Sequence, residues 1–314
     1  MSRPVSGLPD TVPLAPVALF AYMRPDHLAR TLAALRSDPL AEKTDLHVFC
    51  DAPRNEAARA GCEAVRGLVR SIDGFASVQV IERPVNFGLA RSIIEGVTDM
   101  LKRHPSVIVL EDDLVVSPHF LGYMNCALQL YADDEAVASV HGYIYPIDRA
   151  LPETFFLRGA DCWGWATWRR AWAVFNIDGA SLLADLRAQG MTRAFDFDGA
   201  YPYTRMLENQ IAGRNNSWAI RWHASCFLRG MLTLYPGRSL VRNIGNDDSG
   251  THSATNRDFD VKLALSAPQL ERLPLQASQE GTRAVHDYFL RTRWLPRRLL
   301  RHARARWSRW RWST

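Results

Sequence analysis

The sequence predicts an α/β fold in which a mostly parallel central sheet is flanked by helices on both faces. Short apolar segments alternate with amphipathic ones along the first 150 residues, which is the pattern of consecutive strand–helix units. The apolar segments have no polar face, as expected for strands that are covered on both sides. The chain has 314 residues, of which 47% are hydrophobic and 23% are charged, so it is long enough to bury a sizeable core.

Each predicted element follows from a local pattern. Five apolar segments are expected to be strands: 17–22, 45–50, 78–81, 107–110 and 137–141. Pro25 is expected to open the first helix, because proline suits the first helical position. Apolar residues at helical spacing predict two further helices, over 62–72 and 89–100. A fourth helix is expected to start at Ser117-Pro118.

The alternation ends near residue 150, and the composition changes there. The following segment is rich in Trp, Gly, Arg and Asn, and we interpret it as a second half built onto the same sheet. The predicted organisation is a flexible leader, a first half, a second half of the same domain, and a tail: 1–13, 14–150, 151–285 and 286–314.

The cysteines exclude two classes of protein. There are five of them, an odd number, and no two stand in a CxxC spacing. This argues against a disulfide framework and against a structural zinc site.

No signal peptide and no apolar run long enough to span a bilayer are visible, so we expect a cytoplasmic protein.

The basic excess of the chain is confined to its end. Nine of the 38 Lys and Arg residues lie in 291–314, which contains no acid, whereas residues 1–290 hold 29 basic residues against 33 acidic ones, a net charge of −4. Arg, Trp and Leu are spaced in this tail so that a helix would be amphipathic. This pattern favours peripheral contact with the anionic inner face of the cell membrane. A solvated tail and a nucleic-acid patch are the alternatives, and we expect no nucleic-acid partner.

Acidic residues follow the fourth predicted strand. Ligands of parallel sheets bind at the carboxyl ends of the strands, and Glu111, Asp112 and Asp113 come directly after the apolar segment 107–110. Three adjacent carboxylates repel one another and require a compensating cation. Carboxylate oxygens suit Mg²⁺ or Mn²⁺, so the triplet predicts a divalent metal site. The alternative is a solvated acidic loop.

The residues around the triplet resemble a known family. VIVLEDDLVVSPHFLGYM (107–124) resembles the nucleotide-sugar and metal motif of GT-A glycosyltransferases of the N-acetylglucosaminyltransferase I type, in which EDD takes the part of DxD. ALFAYMRPDHLARTL (18–32) and NFGLARSI (86–93) are similar too. The blocks CWGWATWRRAW (162–172), NSWAIRW (216–222) and YPGRSLVRNIG (235–245) resemble a bacterial branch of such sugar transferases, and the resemblance covers roughly residues 15–255.

The resemblance implies a GT-A-like fold and a metal-dependent transfer from a nucleotide-diphosphate sugar to a glycan or lipid-linked hydroxyl acceptor. The first half would then bind the nucleotide sugar, and the second half would face the acceptor. The implied metal ligand is Asp113, and the residues implied to line the nucleotide, the diphosphate or the sugars are Ala21, Tyr22, Arg24, Asp51, Arg91, Glu111, Asp112, Trp163, Gly164 and Trp165.

The catalytic base is not given by the resemblance. The family places an Asp near a Trp in its second half, but the corresponding stretch Asn215–Trp218 has no carboxylate. The preferred candidate is therefore Glu208, just upstream, and the next candidates are Asp161, just before the Trp-Gly-Trp segment, Asp247 and Asp248. His252, in a loop that begins and ends near glycines, is a candidate to complete the metal shell or to contact the diphosphate.

Two other functions remain open at this point. A nucleotidyltransferase would use a similar sheet, but it usually has a glycine-rich loop after the first strand, where this chain has AYMRPDHL. A sugar-binding scaffold without catalysis would explain the missing carboxylate near Trp218.

Overall fold

The computed structural model describes residues 13–247 and 257–293. Its strands are β1 Val17–Ala21, β2 Asp45–Cys50, β3 Ser77–Glu82, β4 Ser106–Glu111, β5 Leu114–Val116, β6 Val137–His141, β7 Thr154–Arg158, β8 Trp165–Trp168, β9 Leu232–Pro236 and β10 Val241–Asn243. Its helices are α1 Pro25–Arg36, α2 Glu56–Val69, α3 Gly88–Arg103, α4 Phe120–Leu130, α5 Arg169–Trp172, α6 Gly179–Ala188, α7 Thr192–Phe195, α8 Tyr203–Ile211, α9 Trp218–Leu228 and α10 Gln279–Arg293. His252, the leader 1–12 and the tail from 294 onward lie outside the described residues.

The fold is the predicted α/β class. Eight strands form one sheet in the order β3-β2-β1-β4-β8-β6-β9-β7, and the short strands β5 and β10 form a separate antiparallel pair. The strands β3, β2, β1 and β4 are mutually parallel, and β6 and β9 are also parallel, whereas β8 runs antiparallel to both of its neighbours. Strands that follow residue 150 therefore belong to the same sheet as the first half.

The predicted strands and helices of the first half are confirmed, with small changes at their ends. The strands 45–50 and 137–141 have the predicted bounds. The first strand ends at Ala21, one residue earlier than expected. The second helix ends at Val69, so Ile72 lies in the turn after it, and the fourth helix begins at Phe120.

Helices cover both faces of the sheet, and alternate side chains of β8 show it. Trp165 stacks on Trp218 of α9 with ring centroids 5.4 Å apart. Trp168 points to the opposite face, where its indole nitrogen donates a hydrogen bond to the carbonyl of Leu128 in α4. Because both faces are covered, β1 is buried along its whole length and β4 along its central residues.

Two further expectations concern cysteine and the membrane. All five cysteines are free thiols, as predicted from their odd number and spacing. Within residues 13–247 and 257–293, no helix combines the length and the apolar character that crossing a bilayer requires.

The packing of α3 on the sheet predicts opposite effects for two helical glycines. A Cβ at Gly96 would lie 2.6 Å from the ring of Phe20, which is buried and stacked on Phe49, whereas a Cβ at the exposed Gly67 of α2 meets nothing within 4 Å. We expect Gly96→Ala to destabilise the protein by about 1–3 kcal/mol through overpacking. Gly67→Ala should stabilise it by up to about 1 kcal/mol through helix propensity. Denaturant unfolding of both variants checks this, and equal effects would contradict the proposed packing.

Candidate functional site

The acidic triplet and Arg24 meet because β1 and β4 are neighbours. The two strands are parallel, and Phe20 of β1 stands opposite Glu111 of β4. The residues that follow the two strands therefore leave the sheet side by side at its carboxyl edge. Tyr22 and Arg24 come from β1, and Asp112 and Asp113 come from β4.

Arg24 joins two of the three carboxylates. Its Nη2 atom donates to Oδ1 of Asp112 at 2.5 Å and to Oδ2 of Asp113 at 2.8 Å. The other oxygen of Asp112 accepts a hydrogen bond from the backbone nitrogen of Tyr22 at 3.2 Å, and Thr31 donates to its carbonyl at 2.8 Å. Burial alone would lower the pKa of Arg24, but the charges of Asp112 and Asp113 outweigh it and keep that pKa above its usual value.

One guanidinium does not balance three carboxylates. Burial raises the pKa of Glu111 to about 8, and the charges of Asp113 and Asp112 add to the rise while Arg24 opposes it. Burial also raises the pKa of Asp112, although Arg24 acts against the shift. No hydrogen bond or ion pair from the described part of the chain satisfies the Glu111 carboxylate. The site therefore carries an excess of negative charge in the metal-free protein.

A loop after β10 covers Asp113. Strand β10 pairs antiparallel with β5, and the backbone nitrogen of Ile244 donates to the carbonyl of Asp113 at 2.8 Å. Gly245 then lies so close to Oδ2 of Asp113 that any Cβ at this position would collide with it, and the same Cβ would approach Nη1 of Arg24 to 2.9 Å. Asp247 contacts His27 of α1 at 3.0 Å, which ties the loop to α1. Close backbone approach, rather than an unusual φ, explains the glycine here.

The triplet fits a hard divalent cation that a substrate helps to bind. Glu111 offers a carboxylate without a hydrogen-bond partner in the described chain, and Asp113 lies next to it. Mg²⁺ is commonly held by one or two carboxylates together with phosphate oxygens and water. A complete cage of three or more His, Cys, Asp or Glu side chains does not occur among the described residues, and the candidate His252 lies outside them.

Asp51 is engaged in holding the start of α3. Its Oδ1 accepts from the backbone nitrogens of Ala52 and Phe87, and its Oδ2 accepts from the backbone nitrogen of Gly88 and the side chain of Asn86. A carboxylate at a helix N-terminus is also favoured by the helix dipole. Both oxygens are thus committed to structure, so contact of this carboxylate with a nucleobase, as the resemblance implies, would require displacement of these donors.

Arg91 and Glu208 are not brought to the triplet by any contact of the described chain. Arg91 is exposed on α3, pairs with Glu95 at 2.6 Å and lies over the ring of Phe87 at 3.8 Å. Glu208 is partly exposed on α8 and pairs with Arg187 at 2.8 Å. Helix α8 packs against α6, α7 and α9, and the Glu208–Arg187 ion pair lies on the outside of this group of helices.

Asp161 lies at the same edge of the sheet as the triplet. Burial raises the pKa of the neighbouring Cys162 thiol, and the charges of Asp161, Glu111 and Asp113 raise it further. Because β8 runs antiparallel to β4, with Trp165 opposite Val109, the residues before β8 leave the sheet at the carboxyl edge of β4. Asp161 accepts a hydrogen bond from the hydroxyl of Tyr145 at 3.0 Å and one from the backbone nitrogen of Cys162 at 2.9 Å. It also lines a narrow pocket together with Tyr145, Tyr203, His223 and Tyr235.

The two tryptophans of the Trp-Gly-Trp segment have different environments. Trp163 is half-buried, its backbone nitrogen donates to Nε2 of His141 at 3.0 Å, and its ring meets Tyr143 edge-on at 4.9 Å. Trp165 is only 1% exposed and packs among Trp172, Trp218 and Trp222. The alternation of β8 directs this side chain into the core, so its predicted contact with a nucleotide sugar would require its displacement.

Several residues of the site were not found from the sequence. Tyr145, which orients Asp161, follows β6 in a segment without regular structure, and Thr31 reads as one more small residue on the buried face of α1. The helical spacing of Thr31 from Leu28 and Leu32 indicates that Thr31 is buried. Nothing in the sequence indicates that it forms a hydrogen bond to the triplet.

No model of a known protein family matches the chain, and no curated protein matches it either. Solved structures give partial matches, each with a TM-score of 0.30. One is a mannosyltransferase, PcManGT from Pyrobaculum calidifontis with GDP-Man and Mn²⁺, at 16% identity over 44% of this chain and 39% of that one. A second is TarS of S. aureus, at 13% identity over 46% of this chain and 24% of that one.

A third match is glucosyl-3-phosphoglycerate synthase from Mycobacterium tuberculosis with Mn²⁺, UDP and glucosyl-3-phosphoglycerate, at 11% identity over 51% of this chain and 58% of that one. The chain thus spans less than two thirds of each of these structures. A TM-score of 0.30 carries no argument about fold or activity, so the fold class given above rests on the strand order and the helix layers of the chain itself.

The raised pKa of Glu111 predicts a pH-dependent stability of the metal-free protein. The folded state keeps this proton up to a pKa of about 8, whereas the unfolded chain releases it near its ordinary value of 4.5. Stability contributed by the proton is therefore present at low pH and is lost as pH rises from about 5 to about 8. We expect Glu111→Gln to remove this loss, so that the variant gains a few kcal/mol over the native protein between pH 5 and pH 8.5.

Denaturant unfolding in the presence of a chelator measures this difference, with Glu135→Gln, an exposed glutamate after α4, as the control. Parallel pH profiles for the native protein and Glu111→Gln would show that Glu111 is ionised in the metal-free site.

Proposed function

We propose that the chain is a metal-dependent glycosyltransferase of the GT-A type that transfers a sugar from a nucleotide-diphosphate donor, UDP-linked in our proposal, to a hydroxyl acceptor. The observation that carries the proposal is the excess of carboxylates over cations at the end of β4, next to Arg24 and under the loop after β10. The sequence resemblance to the N-acetylglucosaminyltransferase I type supports the same function, with the sugar a hexose or an N-acetylhexosamine.

The residues at the strand ends would each bind a different part of the donor or its metal ion. Asp113 and Glu111 are the side chains that would hold Mn²⁺ or Mg²⁺, which as a Lewis acid would neutralise the leaving diphosphate. The guanidinium of Arg24 lies beside Asp113, where the diphosphate would bind, and can donate charge-assisted hydrogen bonds to phosphate oxygens. Ala21 and Tyr22, where β1 ends beside β4, would line the nucleotide.

Asp161 is the better candidate for the catalytic base. A single inverting displacement requires a carboxylate that accepts the proton of the acceptor hydroxyl. Asp161 lies near the triplet, and Tyr145 orients it by a hydrogen bond of 3.0 Å. Glu208, in contrast, is held by Arg187 in a surface ion pair. Trp163, half-buried and two residues after this aspartate in the chain, would supply an aromatic face on which a sugar ring can stack.

The acceptor and its location are proposed on the sequence alone. A glycan or lipid-linked glycan of the cell envelope would suit a peripheral enzyme at the inner face of the cell membrane. The nine arginines of 291–314 and their interspersed tryptophans are the feature that supports contact with anionic lipids.

The donor site is tested by removing one ligand. We expect Asp113→Ala to lose Mn²⁺-dependent binding of UDP while its thermal unfolding stays cooperative, because the side chain lies among polar partners at the sheet edge rather than in the apolar core. Titration calorimetry with UDP, with and without Mn²⁺, measures the effect. The matched control is Asp133→Ala, an exposed aspartate beyond α4, which should bind like the native protein. Undiminished Mn²⁺-dependent binding in Asp113→Ala would refute this metal site.

The base is tested by comparing two isosteric variants. Asp161→Asn should lower turnover by about 10²–10⁴-fold, the usual contribution of a general base, with little change in donor affinity. Glu208→Gln should leave turnover within about two-fold of the native value, since it lies in a surface ion pair. The assay follows release of nucleoside diphosphate from pooled nucleotide sugars and acceptors.

The reverse ranking of the two variants would make Glu208 the base. Release of pyrophosphate in place of nucleoside diphosphate would indicate a nucleotidyltransferase, and donor binding without any turnover would indicate a sugar-binding scaffold.

A further inference from the structure

A single nitrogen of Arg24 lies between two carboxylates of the proposed metal site. Nη2 is 2.5 Å from Asp112 and 2.8 Å from Asp113, so one positively charged group serves both acids. The three side chains are largely withdrawn from water, with 19%, 6% and 13% of their surfaces exposed for Arg24, Asp112 and Asp113. The guanidinium thus neutralises the carboxylate oxygens that a divalent cation would bind.

The surroundings fix the guanidinium in that position. Asp112 is held from the other side by the backbone nitrogen of Tyr22, so it presents Oδ1 to Arg24. Gly245 packs directly against both Asp113 and Nη1 of Arg24. A second cation close to Asp113 would meet the positive charge of Arg24 at short range and in a poorly solvated place, where repulsion between like charges is strong.

We infer that Arg24 is an internal cation that excludes divalent metal from the donor-free site and gives up Asp113 when diphosphate oxygens take over its hydrogen bonds. The inference rests on the proposed function, which it deepens by giving an order of binding: metal and nucleotide enter together. Arg24 exchanges one set of anionic partners for another, so the guanidinium itself keeps an anionic partner at both stages. Because coupling between two ligands is reciprocal, UDP must then raise the affinity for metal as much as metal raises the affinity for UDP.

Mn²⁺ binding without nucleotide tests the inference directly. Electron paramagnetic resonance of free Mn²⁺ gives the affinity of the full-length protein, with and without UDP. We expect Arg24→Gln to bind Mn²⁺ at least ten-fold more tightly than the native protein in the absence of UDP, and to lose most of the gain that UDP produces. The control is Arg36→Gln at the last position of α1, which removes an equal charge from an exposed pair with Asp73 and should behave like the native protein.

Arg24→Lys keeps the experiment decisive where Arg24→Gln folds poorly because Asp112 is left without its partner. Lysine retains the charge but loses the planar fork, so its Mn²⁺ affinity without UDP should lie between those of the native protein and Arg24→Gln. Thermal unfolding provides the second readout: added Mn²⁺ should raise the melting temperature of either Arg24 variant more than that of the native protein.

The outcomes separate the inference from the proposed function. Tight Mn²⁺ binding by the native protein without UDP, unchanged by substitution of Arg24, would overturn the exclusion by Arg24 while the metal-dependent function stands. Mn²⁺ binding that is absent in every variant, with and without UDP, would overturn both. Weaker binding in Arg24→Gln and Arg24→Lys than in the native protein would show that Arg24 supports the metal site rather than competing for it.

Discussion

The ion cluster of Arg24, Asp112 and Asp113 is the interaction on which the site depends. It exists because two parallel neighbours, β1 and β4, end at the same edge and release an arginine from one chain segment and two aspartates from another. The cluster compensates enough charge for the acids to be buried, yet it leaves Glu111 uncompensated, with a pKa raised by burial. The carboxylates whose burial costs stability are therefore the same groups that can bind a cation.

The rest of the structure positions partners around this cluster. Strand β10 pairs with β5 and brings Gly245 onto Asp113, while β8, inserted antiparallel next to β4, carries the segment that contains Asp161 and Trp163 to the same edge. The second half of the chain therefore completes a site that the first half begins. This arrangement explains how the charges of Asp161, Glu111 and Asp113 all act on one thiol, that of Cys162.

The sequence was most informative where the signal was local. Apolar runs and helical spacing predicted the strands and helices of the first 150 residues. The acidic triplet after a buried strand predicted the centre of the candidate site. The partners of that triplet were not predictable in physical terms, because the bonds from Thr31 and Tyr22 depend on which strands become neighbours. The different environments of Trp163 and Trp165 were not predictable, because neighbouring tryptophans look alike in sequence, whereas the fold buries Trp165 in the core and leaves Trp163 half-buried.

A crystal structure of the protein with UDP and Mn²⁺, with the metal located by its anomalous scattering, tests the central claim most directly. The account predicts a manganese peak bonded to Asp113 and to the diphosphate, with Arg24 turned from Asp113 toward phosphate oxygens and Asp161 facing the open side of the donor. A metal bound away from the triplet, or a nucleotide bound while Arg24 still bridges Asp112 and Asp113, would contradict it.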